Sequence, residues 1–324
     1  MPWMYYRYPQ AGTLRLSGRD RLAFLNSLTT NRLEGCTREQ AVITVLTNAA
    51  GRILDLLLVL ESDHESLLLL TLPGRGEATL AHLLGQLETT SASVPLASLR
   101  KTDSRYDVTI ADESRLWDHA MLLPGEGPLP PGLQPPREPG YAQRFPNGSA
   151  AISLPDVLGS GLLLLHPKGV TVMMLSHTRL LSPETFTYER IRRGILGAET
   201  ELTAEFSPYE VGLAPWVDVT KPDFPGRTML AYAARQPERH RAIVGMRLAS
   251  PVMLPATVRR GEEQIGHLTS VAAAENGAIA LAAVRRPFAR PGTQVSVHST
   301  AGAQEYETPA TVTALPIPDI PETP

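Results

Sequence analysis

The sequence predicts an α+β protein with antiparallel sheets that ends in a small antiparallel β-barrel. Three observations point there. Residues 42–60, VITVLTNAAGRILDLLLVL, set two apolar runs on either side of a short polar break, the pattern of a tight hairpin. Residues 76–88, GEATLAHLLGQLE, bring Leu80, Leu83, Leu84 and Leu87 onto one helical face. From residue 241 onward only short strand-like runs follow one another: RAIVGMRL, EQIGHLTS, GAIALAAVRR, TQVSVHS and ATVTALP.

In order, residues 12–16 read as a strand that turns at Ser17-Gly18 into a helix over 19–28. Leu22, Leu25 and Leu28 share one face of that helix, and Thr29-Thr30-Asn31 closes it. After the hairpin, ESDHES turns into a strand over 66–72, which Pro73-Gly74 stops before helix 76–88. Residues 122–146 are so rich in proline and glycine that they predict a surface loop with no element longer than a turn. Strands over 161–165 and 170–174 follow, hinged at Pro167-Lys168-Gly169. A helix over 183–193 is bracketed by Ser182 as N-cap and Gly194 as stop. Residues 105–195 thus repeat the strand-and-helix character of the first part without a visible sequence repeat. Residues 201–232 are dense in turn formers and aromatics and end in a helix near Gly226. The expected units are a lobe over 1–104, a second over 105–237 and the barrel over 238–324.

The chain has 324 residues and a net charge of −3, so nothing draws it generally to nucleic acid or acidic membranes. The opening MPWMYYRYPQ lacks a signal-peptide core, and no apolar run reaches membrane-spanning length. A soluble, cytoplasmic protein is expected. The single cysteine, Cys36, excludes a disulfide framework, and the eight histidines show no metal-ligand spacing, so no metal is expected. Neither a phosphate-cradling loop nor a nucleophile elbow is present.

Asp55 is the residue that calls for explanation, a lone carboxylate among Ile53, Leu54, Leu56, Leu57, Leu58 and Val59. It is either bonded to backbone and neighbours, or a polar group lining a ligand site. Residues 221–227, KPDFPGR, form a rigid turn carrying Lys221 and Arg227. Arg190, Arg192 and Arg193 give helix 183–193 a cationic face, suited to an anionic tail or simply solvated.

Five segments carry a resemblance to a family. SGRDRLAFLNSLTTNRLEG, LTNAAGRILDLLLV, YERIRRG with ELTAEFSPYEVGL, KPDFPGR, and GEEQIGHLTS with AIALAAVRR match, in order and spacing, the YgfZ/GcvT family. That family groups folate-binding YgfZ-type proteins with the aminomethyltransferase (T-protein) of the glycine cleavage system. The resemblance implies two similar α+β lobes and a barrel around a central channel that binds tetrahydrofolate. The short lead-in favours the YgfZ side, whose members serve iron–sulfur protein maintenance. The chain departs from the pattern where the family's chemistry sits. T-proteins carry two adjacent aspartates in the second hairpin strand, of which the second works near the folate nitrogen. Here those positions are Asp55 and Leu56. The family's glutamate in the R-I-E helix motif is Arg192, the pterin-gripping glutamate falls near Leu163, and the YgfZ motif cysteine is missing from KPDFPGR.

These departures favour a ligand-binding accessory protein that holds a folate-like small molecule, with a protein partner open. The alternatives are a folate-dependent one-carbon transferase in which Asp55 supplies charge, or a pocket repurposed for another small molecule. Asp55 is the candidate catalytic residue; Asn48, Arg52, Arg192, Lys221 and Arg227 are the candidate cofactor-binding residues. The hairpin break, the helix bearing Arg192 and the 221–227 turn are expected to converge on one cavity.

Overall fold

The computed structural model describes residues 2–89, 106–301 and 304–318. The lobe boundary expected at residue 104 falls outside them. The chain runs β1 (Met4–Tyr8), β2 (Thr13–Ser17), α1 (Arg21–Leu28), β3 (Val42–Thr47), β4 (Ile53–Asp63), β5 (Ser66–Leu70), α2 (Gly76–Thr89) and β6 (Thr109–Asp112). It continues through β7 (Trp117–Leu123), β8 (Ala142–Arg144), β9 (Ala150–Ser153), β10 (Leu162–Pro167), β11 (Arg179–Leu180), α3 (Pro183–Arg193) and α4 (Arg227–Ala233). The last strands are β12 (Arg241–Leu248), β13 (Ala256–Arg260), β14 (Glu263–Ala274), β15 (Gly277–Arg285), β16 (Gln294–Ala301) and β17 (Gln304–Thr313).

Two sheets and a barrel result. The first sheet has five strands in the order β3-β4-β5-β2-β6, and the second has six in the order β11-β1-β7-β10-β9-β8. The closed barrel is ordered β12-β15-β14-β13-β16-β17. The expected α+β class with a terminal barrel is therefore the observed one. Chain order and sheet membership do not coincide, however. The first strand, β1, pairs with β7 and β11 in the second sheet, while β6 pairs with β2 in the first.

Alternation along each strand sorts the core. In β4, Leu56, Leu58 and Leu60 face the second sheet, where they meet Met121, Leu123, Leu163 and Leu165. Leu57 and Val59 face the other way, onto Phe24, Leu25 and Leu83 of α1 and α2. The outer face of the second sheet is covered by Trp3, Tyr5, Leu133, Val172 and Met174. Ile279, Leu281 and Ala283 of β15 join the inter-sheet core, so the barrel packs as part of it.

Two segments differ from expectation. Residues 170–174 are not a strand; Met173–His177 form a 3-10 turn. β10 already has β7 on one edge and β9 on the other, so a hairpin strand after Gly169 would have no edge to join. Its apolar residues instead cap the outer face of the sheet. Within 122–146, Leu122 and Leu123 end β7, and Ala142–Arg144 pair with β9. The run 140–145 lies between Pro139 and Pro146 and contains no proline, so its backbone donors are intact. No described helix is long and apolar enough to cross a membrane.

Candidate functional site

A cavity of about 310 Å³ lies where the inner faces of the two sheets, α3 and the chain at 195–200 meet. Leu56, Leu58 and Leu70 of the first sheet and His119, Met121 and Leu163 of the second line it. The alternation that places Leu56 on the inner face therefore decides what the cavity contains.

One wall is aromatic. Tyr6 stacks on Phe186 with centroids 4.0 Å apart and planes 3° from parallel, and Tyr8 stands edge-on to both rings at 5.7 and 5.8 Å. The Tyr8 hydroxyl donates to Met121 Sδ at 3.1 Å, and burial pushes its pKa up, so it stays a neutral phenol. Beside Tyr8, its register partner on β7, His119 is 3% exposed and its Nε2 sits 2.7 Å from Thr13 Oγ1. Burial, helped by His166, pulls its pKa down to about 4, so the imidazole is neutral near pH 7.

The cationic group is Arg190, one helical turn beyond Phe186 and on the same face of α3. Its guanidinium donates to Ser270 Oγ of β14 at 2.7 Å and to Glu201 Oε2 at 3.4 Å. Glu201 is fully buried. Its carboxylate also accepts from Gly197 N at 2.7 Å, Thr200 Oγ1 at 2.6 Å and Ser270 Oγ at 2.6 Å. Ser270 closes the G-H-L-T-S step of the barrel, so this network fastens α3 to the barrel and holds Arg190 at the cavity. Glu199 also lines the cavity, but it is exposed. No cluster of three or more metal-ligating side chains occurs among the described residues.

The fold that carries this cavity has a known counterpart. Residues 241–319 match the family model of the glycine cleavage T-protein C-terminal barrel domain. The crystal structure of the glycine cleavage system aminomethyltransferase T from Bartonella henselae superposes with a TM-score of 0.73 at 16% sequence identity. The match covers 98% of this chain and 86% of that one. The chain has the T-protein fold. No curated protein sequence matches it.

On the T-protein fold of this chain, the residues singled out in the sequence do not converge on the cavity. Asp55 is fully buried on the far side of the first sheet. A bulge pairs Thr47 with Ile53 and Leu46 with Asp55, leaving Leu54 as the extra residue, so Leu54 and Asp55 both turn toward the helices. The Asp55 carboxylate accepts from Leu56 N at 2.8 Å, Leu72 N at 3.1 Å and Thr79 Oγ1 at 2.6 Å. It thus ties β4 to the end of β5 and the first turn of α2. The backbone-bonded alternative describes its geometry.

Arg192 corrects a second expectation. Two residues along a helix are about 200° apart, so Arg190 and Arg192 cannot share a face. Arg192 bonds Glu189 at 3.0 Å and borders a separate groove against the barrel, with Arg247 and Ile317.

The hairpin break and the 221–227 turn do meet each other. Thr47 Oγ1 donates to Pro225 O at 2.6 Å, and a Cβ on Gly226 would stand 2.5 Å from Asn48 O, so only glycine fits there. Their polar atoms, though, bond the protein itself. Asn48 Oδ1 accepts from Ala50 N and Arg52 N, closing the hairpin turn. Arg52 pairs with Glu210 at 2.8 Å. Arg227 Nε donates to Val219 O at 3.0 Å, and the side chain borders an open surface groove with Ala49.

Lys221 supplies what α1 lacks. That helix has no basic residue in its last turn, and Lys221 Nζ donates to Asn26 O, Thr29 O and Asn31 O at 2.7, 2.5 and 2.8 Å. Burial pulls its pKa down to about 8, and three carbonyl acceptors still demand an ammonium at neutral pH. Lys221→Met should destabilise the protein by about 2–3 kcal/mol, because it orphans buried carbonyls at a helix end. Urea unfolding reads this, and a loss below about 0.5 kcal/mol would mean the carbonyls find water instead.

Of the cavity residues, Tyr6, Tyr8, His119 and Phe186 were not singled out from the sequence, and Arg190 only as one of three arginines on a cationic helix face. The available signals were faint: Tyr6 and Tyr8 alternate with Tyr5 and Arg7 in a segment not read as a strand, and Phe186 and Arg190 are four apart on α3.

Proposed function

We propose that this protein binds tetrahydrofolate or a close relative in the cavity between its sheets, as a folate-binding protein of the YgfZ kind, and does not transfer the one-carbon unit. The observation carrying this reading is that Leu56, not Asp55, faces the cavity. The resemblance puts the T-protein's working aspartate at Leu56 and its pterin-gripping glutamate near Leu163, and both leucines line the cavity. The scaffold is kept while the acids are replaced.

The residues fit a flat ring system with a polar edge. Leu56, Leu58 and Met121 offer apolar surface, the Tyr6–Phe186 pair a rigid aromatic wall, and Arg190, charge-paired with Glu201, N–H donors for a carbonyl. A volume near 310 Å³ is at the small end for ligand sites, which suits a ring held inside with its tail toward the mouth. A folate cofactor, when bound, would bring a nitrogen able to carry a one-carbon group. Stabilising positive charge at such a centre takes a fixed carboxylate close by. Glu201 already neutralises Arg190, and Glu199 is exposed, so the cavity offers none inside.

The accessory role in iron–sulfur protein maintenance rests on the resemblance. Cys36 is no substitute for the motif cysteine: its Sγ lies 3.3 Å from Val59 O, and burial pushes the thiol up to about 12.

Isothermal titration with tetrahydrofolate and its 5-formyl derivative, beside an aminomethyl-transfer assay, tests the reading. Saturable binding without transfer is expected. Absence of binding would remove the folate assignment, and transfer above background would favour the one-carbon transferase.

A further inference from the structure

We infer that His119 is a specificity-determining residue of this cavity, presenting an Nδ1–H donor to a carbonyl-type acceptor on the edge of the bound ring. The inference rests on the folate reading and deepens it by naming what one wall of the site selects.

The tautomer follows from Thr13. Its side chain is fully buried, and among the described residues its hydroxyl has one hydrogen-bond partner, His119 Nε2 at 2.7 Å. Were the imidazole proton on Nε2 and donated to Thr13, the threonine's own proton would be buried without an acceptor. The arrangement that leaves nothing orphaned has the hydroxyl donating to the Nε2 lone pair. A neutral ring then carries its proton on Nδ1.

That Nδ1 has no partner in the protein among the described residues, although the ring is 3% exposed and borders the cavity. The neighbouring His166 makes no hydrogen bond to it: β10 places Leu165 across from His119 and His166 across from Asp118, so His166 starts from the other face of the sheet. Burial keeps His119 neutral near pH 7. The cavity thus holds a fixed, uncharged donor set into an apolar wall beside Met121. An N–H left unmade in such a place is unfavourable, and an acceptor on the ligand completes it. A ring carbonyl satisfies it; an amino group at the same place meets it donor to donor.

Tetrahydrofolate and its 4-amino-4-deoxy counterpart, titrated calorimetrically into the full chain at neutral pH, make the test. The wild type should prefer the carbonyl compound about tenfold, as expected for one good hydrogen bond. His119→Phe, which keeps the ring and loses the donor, should bind both alike. His119→Gln, whose amide can accept from Thr13 and donate to the ligand, should keep most of the preference. An unchanged preference in His119→Phe would make His119 a structural residue and leave the folate reading standing. A wild type that binds neither compound overturns the folate reading and this inference with it. Nitrogen NMR of the wild type decides the tautomer without any substitution: an unprotonated Nε2 supports the assignment, and a protonated Nε2 overturns it.

Discussion

Arg190→Met should lower the stability of the protein by about 3 kcal/mol, the largest loss expected from any single cavity residue. The reason lies in Glu201, which is fully buried and faces a guanidinium that is itself only 12% exposed. Removing the cation leaves the carboxylate in a dry site with only neutral donors from Gly197, Thr200 and Ser270. Those donors keep the loss toward the lower end of what an unpaired buried charge costs. Urea unfolding measures it. The double variant Arg190→Met/Glu201→Leu should recover at least half of the loss, since the orphaned charge is gone. A double variant as unstable as the single one would show that packing of α3 against the barrel matters more than the charge. The same substitution should weaken a carbonyl-bearing ligand by removing an N–H donor, whereas Arg192→Glu should leave ligand affinity unchanged. Arg192 borders another groove.

The second large effect is a pH dependence that belongs to Asp55. Burial raises its pKa from 3.8 to about 7, against the opposing pull of its bonds to Thr79, Leu72 and Leu56. The folded protein therefore holds the proton over a range where the unfolded chain has released it. Stability from this group is fully present below pH 4, falls as pH rises, and is lost by about pH 7. The gap corresponds to about 4 kcal/mol across that window, at 1.36 kcal/mol per pH unit. Asp55→Asn can keep both backbone acceptor bonds and donate to Thr79, and it does not titrate. Its stability should exceed that of the wild type increasingly from pH 4 to pH 7. Urea midpoints measured across that range should diverge, and parallel profiles would mean that the ionised carboxylate is well solvated or paired in the fold. His119 acts in the opposite sense, losing stability as pH falls from about 6.5 toward 4, so the His119→Gln background separates the two.

Periodicity carries much of the local structure. The 42–60 hairpin, α2, the Ser182–Gly194 bracket around α3 and the all-strand C-terminal region are each specified by residues within a dozen positions of one another. Hydrophobic spacing and turn chemistry act over that range, so these elements are legible without any fold. The class of the protein follows from them.

Sheet membership is not local, and the sequence is silent on it. That Met4–Tyr8 crosses to the second sheet, and that 170–174 finds no edge to pair with, depend on which strand edges are already taken. The same holds for the site. The composition of β4 flags Asp55 correctly as a costly group, but only the packed sheets show which face of the alternating strand is which, with Asp55 on the helix side and Leu56 in the cavity. Lys221 likewise stands out in an arginine-rich chain, and only the tertiary structure shows it capping α1 from 190 residues away. Glu201 and Ser270, or Thr13 and His119, are unremarkable where they stand in the chain, and Arg190 reads there only as one of three arginines on a helix. Their meaning arises from burial together, which makes each hydrogen bond obligatory, and burial is a property of the packed sheets rather than of any segment.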